Sequence, residues 1–146
     1  MTTLLQKVPI LAGLDEAALR LLRERSEETT APAGGVILRE GETGNRFFVI
    51  SQGTVRVCKY FGEPHEAELA RLGPGDFFGE MCILETLPRS ATVQSVTDTV
   101  LCCMSSMTFH HLYTVMPRQH SILVINIARD LSRRLRRLDD VFAARH

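Results

Sequence analysis

Within residues 31–104, glycine cuts the stretch as far as Gly75 into short pieces, at Gly34-Gly35, Gly41, Gly44, Gly53, Gly62, Gly73 and Gly75. Helices of ordinary length do not fit between breaks so closely spaced. The pieces themselves are rich in β-branched and aromatic residues: Val36-Ile37-Leu38, Phe47-Phe48-Val49-Ile50, the run from Val55 to Tyr60, Leu69-Ala70-Arg71-Leu72, Thr92 to Val96 and Thr99 to Cys103. Many short strands at this spacing predict an antiparallel sandwich or barrel. Ser51-Gln52-Gly53 reads as a hairpin turn between two strong runs, and Leu72-Gly73-Pro74-Gly75-Asp76 as a second turn.

The flanks read differently. In the N-terminal part, Leu14, Ala17, Ala18, Leu21 and Leu22 fall on one helical face. Asp15 is placed to cap that helix, with Glu16 in its first turn. At the other end Ser106 is expected to cap a short helix through Tyr113, and Pro117 to start a new one. Beyond it Val124, Ile127, Ala128, Leu131, Leu135, Leu138 and Phe142 form a stripe at helical spacing. That stripe needs an apolar partner, either the β region or a second copy of the chain, so a homodimer is one expectation. The 146 residues therefore read as a single domain: a helical element over about 8–30, a β region over about 31–104 and helices over about 105–142.

Composition narrows the function. Lys plus Arg equals 17 and Asp plus Glu equals 17, which excludes a globally basic nucleic-acid binder. The local basic run of Arg129, Arg133, Arg134, Arg136, Arg137 and Arg145 reads as a solvated face paired with Asp130, Asp139 and Asp140. Direct nucleic-acid contact is not expected of it. No apolar run approaches the ~18 residues of a membrane helix. The first residues lack the pattern of a signal peptide. Cys58, Cys82, Cys102 and Cys103 form no CxxC pair and read as small core residues in a reducing, cytoplasmic compartment. His65, His110, His111, His120 and His146 lie outside the predicted strands, so no clustered metal site is expected. No nucleophile elbow appears, and the chain is not expected to be an enzyme.

The segment from Phe77 to Val93 carries the chemistry. It does not alternate, so it is not read as a simple strand. Glu80 to Leu84 reads as one helical turn behind a flexible glycine, and such an N-terminus presents free N–H groups to an anion. Arg89 could add a planar donor fork for phosphate oxygens. Glu80 is an acceptor in the same loop, which suits a ligand that also carries a hydroxyl donor, as a ribose does. A Glu and an Arg in one loop also suit a plain ion pair, and these residues alone do not choose between the two.

The segment resembles the phosphate-binding cassette of cyclic nucleotide-binding domains, the family of the bacterial catabolite activator and the regulatory subunits of protein kinase A. Phe78-Gly79-Glu80 and Pro88-Arg89-Ser90-Ala91-Thr92-Val93 match its pattern in order and spacing. Met81, Cys82 and Ile83 depart from it by small or apolar swaps. The resemblance extends over residues 8–142, through Gly35 to Glu42, Phe47 to Val57, the opening Leu11-Ala12-Gly13-Leu14 and the last helix.

That resemblance implies a mainly β fold: an eight-stranded β-roll of jelly-roll type with an N-terminal helix and a long C-terminal helix. It implies that Glu80 bonds the ribose 2′-hydroxyl and Arg89 the cyclic phosphate. Backbone amides at Gly79, Met81, Cys82, Ser90 and Ala91 would complete the cradle. Ser90 follows Arg89 as in bacterial cyclic-AMP sensors, so cyclic AMP is the expected ligand and cyclic GMP the alternative. The base would be covered by the C-terminal helix, which would relay occupancy to an effector. Two other expectations stand beside this one. The chain could be the sensor of a transcription regulator without its DNA-binding domain, or a degenerate interaction module that binds no nucleotide.

Overall fold

The computed structural model describes residues 8–81 and 87–145. A 3-10 turn, Pro9–Leu11, leads into helix α1, Glu16–Glu24. Eight strands follow among the described residues: β1 (Glu27–Ala31), β2 (Val36–Leu38), β3 (Arg46–Gln52), β4 (Val55–Lys59), β5 (Ala67–Leu72), β6 (Phe77–Phe78), β7 (Thr92–Ser95) and β8 (Thr99–Ser105). Helices α2 (Ser106–Val115) and α3 (Pro117–Arg145) complete the chain. The strands form two antiparallel four-stranded sheets, β1-β8-β3-β6 and β2-β7-β4-β5. This is the β-roll with flanking helices that the resemblance implies.

One sheet is buried on both faces, and the other on one. Along β3, Phe47 and Val49 point to the helices while Phe48 and Ile50 point between the sheets. Along β8, Cys102 and Met104 face the helices, and Leu101 and Cys103 face the roll interior. Strand side chains alternate faces, so a doubly covered strand reads as a continuous apolar run. Phe77 and Phe78 divide in the same way, with Phe77 tilted against Phe47 at 5.6 Å and Phe78 stacked on Phe48 at 5.1 Å. Their lack of alternation therefore marks a doubly buried strand, β6, which the sequence reading does not recognise.

Three local expectations need correction. Residues 27–30 belong to β1 and not to the N-terminal helical element; the strand pairs with β8 from Glu27↔Cys103 to Ala31↔Thr99. It is a polar edge strand with little burial, so its sequence carries no apolar signal. Ser51-Gln52-Gly53 is not a hairpin, because β3 and β4 lie in different sheets. A local turn signal records a reversal of direction, not which sheet the next strand joins. Finally, Ser105 rather than Ser106 is the N-cap of α2, and it makes no side-chain capping bond.

The helical ends behave as expected where they touch the roll. The Asp15 carboxylate accepts the Ala18 N–H at 2.9 Å and caps α1. In α3, Leu123 and Ile127 are fully buried against the 3-10 turn, α1 and α2. Asn126 donates to the carbonyls of Ile10 and Ala12 at 2.9 and 2.8 Å, which fixes the rotation of the helix. Farther along, Leu135 and Leu138 are 59 % and 53 % exposed. The stripe is thus half core and half surface. Cys58, Cys102 and Cys103 are free and buried, as a core role requires. Among the described residues no helix is long and apolar enough to cross a membrane.

Candidate functional site

Between the two sheets and the C-terminal helix lies a cavity of about 320 Å³, a size typical of small-molecule sites. Gly79, Glu80, Met81, Arg89, Ser90 and Ala91 all line it. Cys82, the remaining residue of the expected cradle, lies outside the described residues, as does most of the turn expected over Glu80 to Leu84. The floor is apolar, from Leu38, Val57, Leu72, Phe78 and Val93 on both sheets.

Arg89 is held by backbone on every side. Its N–H donates to the Glu42 carbonyl at 2.7 Å, and its own carbonyl accepts the Gly41 N–H at 2.8 Å. Its guanidinium donates from Nη1 to the Gly79 carbonyl at 3.3 Å and from Nη2 to the Arg46 carbonyl at 3.0 Å. These carbonyls carry no net charge, so the cation stands beside the cavity with its charge uncompensated by them. Gly79 makes the arrangement possible. Its φ is +80°, and a Cβ there would lie 2.8 Å from the Arg46 carbonyl oxygen and 3.1 Å from Arg89 Nη1. Gly44 is needed for closeness instead, since its Cβ would lie 2.6 Å from Arg89 Nη2.

Glu80 is only 8 % exposed, rare for a carboxylate. Burial pushes its carboxyl above the ordinary value, while its own backbone N–H and the Arg134 guanidinium pull the other way. Arg134 reaches it from α3, with Nη1 3.8 Å from Oε1. The same guanidinium pairs with Asp130 at 2.8 Å, donates to the Phe77 carbonyl at 3.0 Å and lies 4.4 Å from the centre of the Phe77 ring. The basic run is therefore not uniformly a solvated face: Arg134 lines the cavity. The sequence reading missed it. A signal existed, because Arg134 follows the buried Ile127 by seven residues and so shares its helical face.

Chemically, the cavity offers a fixed cation, a buried acceptor and an apolar wall. A second recess of about 340 Å³ continues from it under α3, sharing Val57, Leu72 and Arg134 and adding Leu69, Leu138 and Val141. Among the described residues no group of three or more His, Cys, Asp or Glu could hold a metal ion.

Known proteins resemble this chain in sequence and fold. The family model described as "Cyclic nucleotide-binding domain" matches residues 28–114. A cyclic nucleotide-gated potassium channel of Mesorhizobium japonicum is 39 % identical over 114 residues, which are 78 % of this chain and 30 % of the channel. The cyclic AMP receptor protein of Thermus thermophilus is 32 % identical over 131 residues, 90 % of this chain and 59 % of that protein. The chain thus spans less than two thirds of either relative. The crystal structure of the Thermus thermophilus catabolite activator protein superposes with a TM-score of 0.77 at 30 % identity, over 93 % of this chain and 62 % of that one.

Proposed function

The chain belongs to the cyclic nucleotide-binding domain family, and from that premise we propose that it is a regulatory module whose ligand is cyclic AMP. Arg89 would take the cyclic phosphate as a planar donor, and Glu80 the ribose 2′-hydroxyl as an acceptor. Amides of the cassette, at Gly79, Met81, Cys82, Ser90 and Ala91, would complete the cradle. The base would occupy the recess under α3, against Val57 and Leu72. The observation that carries this reading is the pairing, across one cavity, of a fixed cation with a deeply buried carboxylate. A bare anion site has no use for Glu80, whereas a phosphate attached to a hydroxyl-bearing sugar uses both. Relatives named for cyclic AMP and for cyclic nucleotides support the ligand class.

Occupancy would be reported through α3, because Arg134 ties that helix to Glu80 and Phe77. A ligand that takes Glu80 competes with Arg134 for it and so changes how the helix is held. The exposed Leu135 and Leu138 give the same helix a surface on which a second copy can pair. We read the chain as a binding module and not a catalyst, acting in the cytoplasm. Displacement of a fluorescent cyclic AMP analogue by cyclic AMP and by cyclic GMP tests the ligand assignment. Preferential displacement by cyclic AMP supports it. Preferential displacement by cyclic GMP moves the assignment to the guanine nucleotide, and no analogue binding at all leaves an interaction module.

A further inference from the structure

Lys59 closes β4 and does not line the cavity, yet it touches the cassette. Its Nζ donates to the Ser90 carbonyl at 2.7 Å and to Glu40 Oε2 at 3.1 Å. Glu40 is itself fixed on two further sides. Its other oxygen, Oε1, accepts the Tyr60 N–H at 3.1 Å, and its backbone N–H donates to the buried Thr92 Oγ1 at 3.0 Å. Tyr60 stands at φ +57°, a left-handed conformation that a tyrosine adopts only when its surroundings hold it there. The bond from Glu40 is one such restraint. The Glu40 carboxyl is held below its ordinary value, first by the Tyr60 N–H and then by Lys59, so it stays charged at neutral pH.

We propose that Lys59 and Glu40 form a clamp on the Ser90–Ala91 peptide, and that this clamp aims the Ala91 N–H at the phosphate subsite. The proposal rests on the reading of the cavity as a cyclic phosphate site. A trans peptide is planar, and its C=O and N–H point in opposite directions. Lys59 holds the Ser90 oxygen from outside the cavity, so the N–H of the same peptide unit points away from Lys59, toward the side that Ser90 and Ala91 line. The lysine charge also polarises that peptide, which makes its N–H a stronger donor to an anion. The two side chains are 36 % and 29 % exposed, and ion pairs at such exposure add little to stability. The role of the pair is therefore orientation: Lys59 and Glu40 are positioning residues.

The clamp is distinguishable from a general attraction between Lys59 and phosphate. If charge alone mattered, Glu40→Ala would leave the site more positive and strengthen cyclic AMP binding. A clamp predicts that Glu40→Ala and Lys59→Met both weaken it, by about fivefold, the size of one weakened hydrogen bond. Lys59→Arg should restore most of the affinity. The ligands to compare are cyclic AMP, its two phosphorothioate diastereomers and 2′-deoxy cyclic AMP. In Lys59→Met the preference between the diastereomers should shrink, while the penalty for removing the 2′-hydroxyl stays unchanged. Tighter binding by Glu40→Ala overturns the proposal. So does an equal change in the phosphate and ribose penalties.

A ligand-free measurement separates this proposal from the ligand assignment. The carbonyl ¹³C resonance of Ser90 should move upfield in Lys59→Met and stay near its wild-type position in Lys59→Arg. If it moves and no cyclic nucleotide binds the wild type, the ligand reading fails but the clamp stands as a feature of the fold. If it does not move, the clamp is absent whatever the chain binds.

Discussion

Arg134 Nη1 stands 3.8 Å from Glu80 Oε1, which joins the C-terminal helix to the cassette through one pair of charges. The same guanidinium is anchored on Asp130 and on the Phe77 carbonyl. The helix beyond Leu131 is otherwise largely exposed. Arg134 is therefore a contact that holds this half of α3 against the roll. Arg134→Ala should leave Leu123 and Ile127 packed and the fold intact. Amide exchange in residues 131–142 should accelerate about tenfold or more, with α1 and β3 unaffected. Unchanged exchange would mean that the helix is held by something else.

Glu80 gives the chain a pH dependence of defined sign. Burial raises its carboxyl, so the folded chain holds this proton more tightly than the unfolded chain does. The stability it contributes is complete below the ordinary carboxyl range and is lost as pH rises through the raised folded-state value. Glu80→Gln should remove that decline, measured by denaturant unfolding from the ordinary carboxyl range upward to neutral pH. Cyclic AMP affinity should run the other way in the wild type. A hydroxyl donor favours the ionised carboxylate, so binding should tighten as pH rises through the same range, and Glu80→Gln should flatten that slope as well.

Gly44 and Gly79 both make room for Arg89 but at different cost. At Gly44 the added Cβ meets only the far end of the Arg89 side chain, which can move. Gly44→Ala should therefore fold normally, within about 1 kcal/mol, while losing about tenfold in cyclic AMP affinity as Arg89 is displaced. Gly79→Ala combines a positive φ with a clash against the Arg46 backbone. It should cost about 2 kcal/mol of stability in thermal unfolding. Equal stability losses for the two variants would contradict this division.

Leu135 and Leu138 lie on the exposed half of the α3 stripe. If a second copy covers them, sedimentation should show a dimer at tens of micromolar, and Leu135→Asp, at a position that lines neither recess, should abolish it. A monomer at that concentration, with and without ligand, would remove the homodimer from the account.

The β region was legible because glycine breaks and apolar runs are local signals: β2, β4 and β7 fall within the runs that the sequence singles out, and β3, β5 and β8 contain such runs and extend past them by two or three residues. What stayed hidden depends on distant partners. β1 is polar and is a strand only through its pairing with β8. Phe77-Phe78 looked unlike a strand because both its faces are buried. The chain crossing at Gly53 looked like a hairpin because sheet membership is not a local property. At the site, the cassette residues are near in sequence, so Glu80 and Arg89 could be singled out together. Arg134 and Lys59 reach the cassette from far along the chain, and only helical phase hinted at the first.

Calorimetric titration of the chain with cyclic AMP, with 5′-AMP as control and Arg89→Ala as the paired variant, tests the central claim most directly. The account predicts tight binding of cyclic AMP, weak binding of 5′-AMP, and a loss in Arg89→Ala of about a hundredfold, roughly 3 kcal/mol. Absence of heat and of thermal stabilisation with cyclic AMP, or a well-folded Arg89→Ala that binds it as tightly as the wild type, would contradict it.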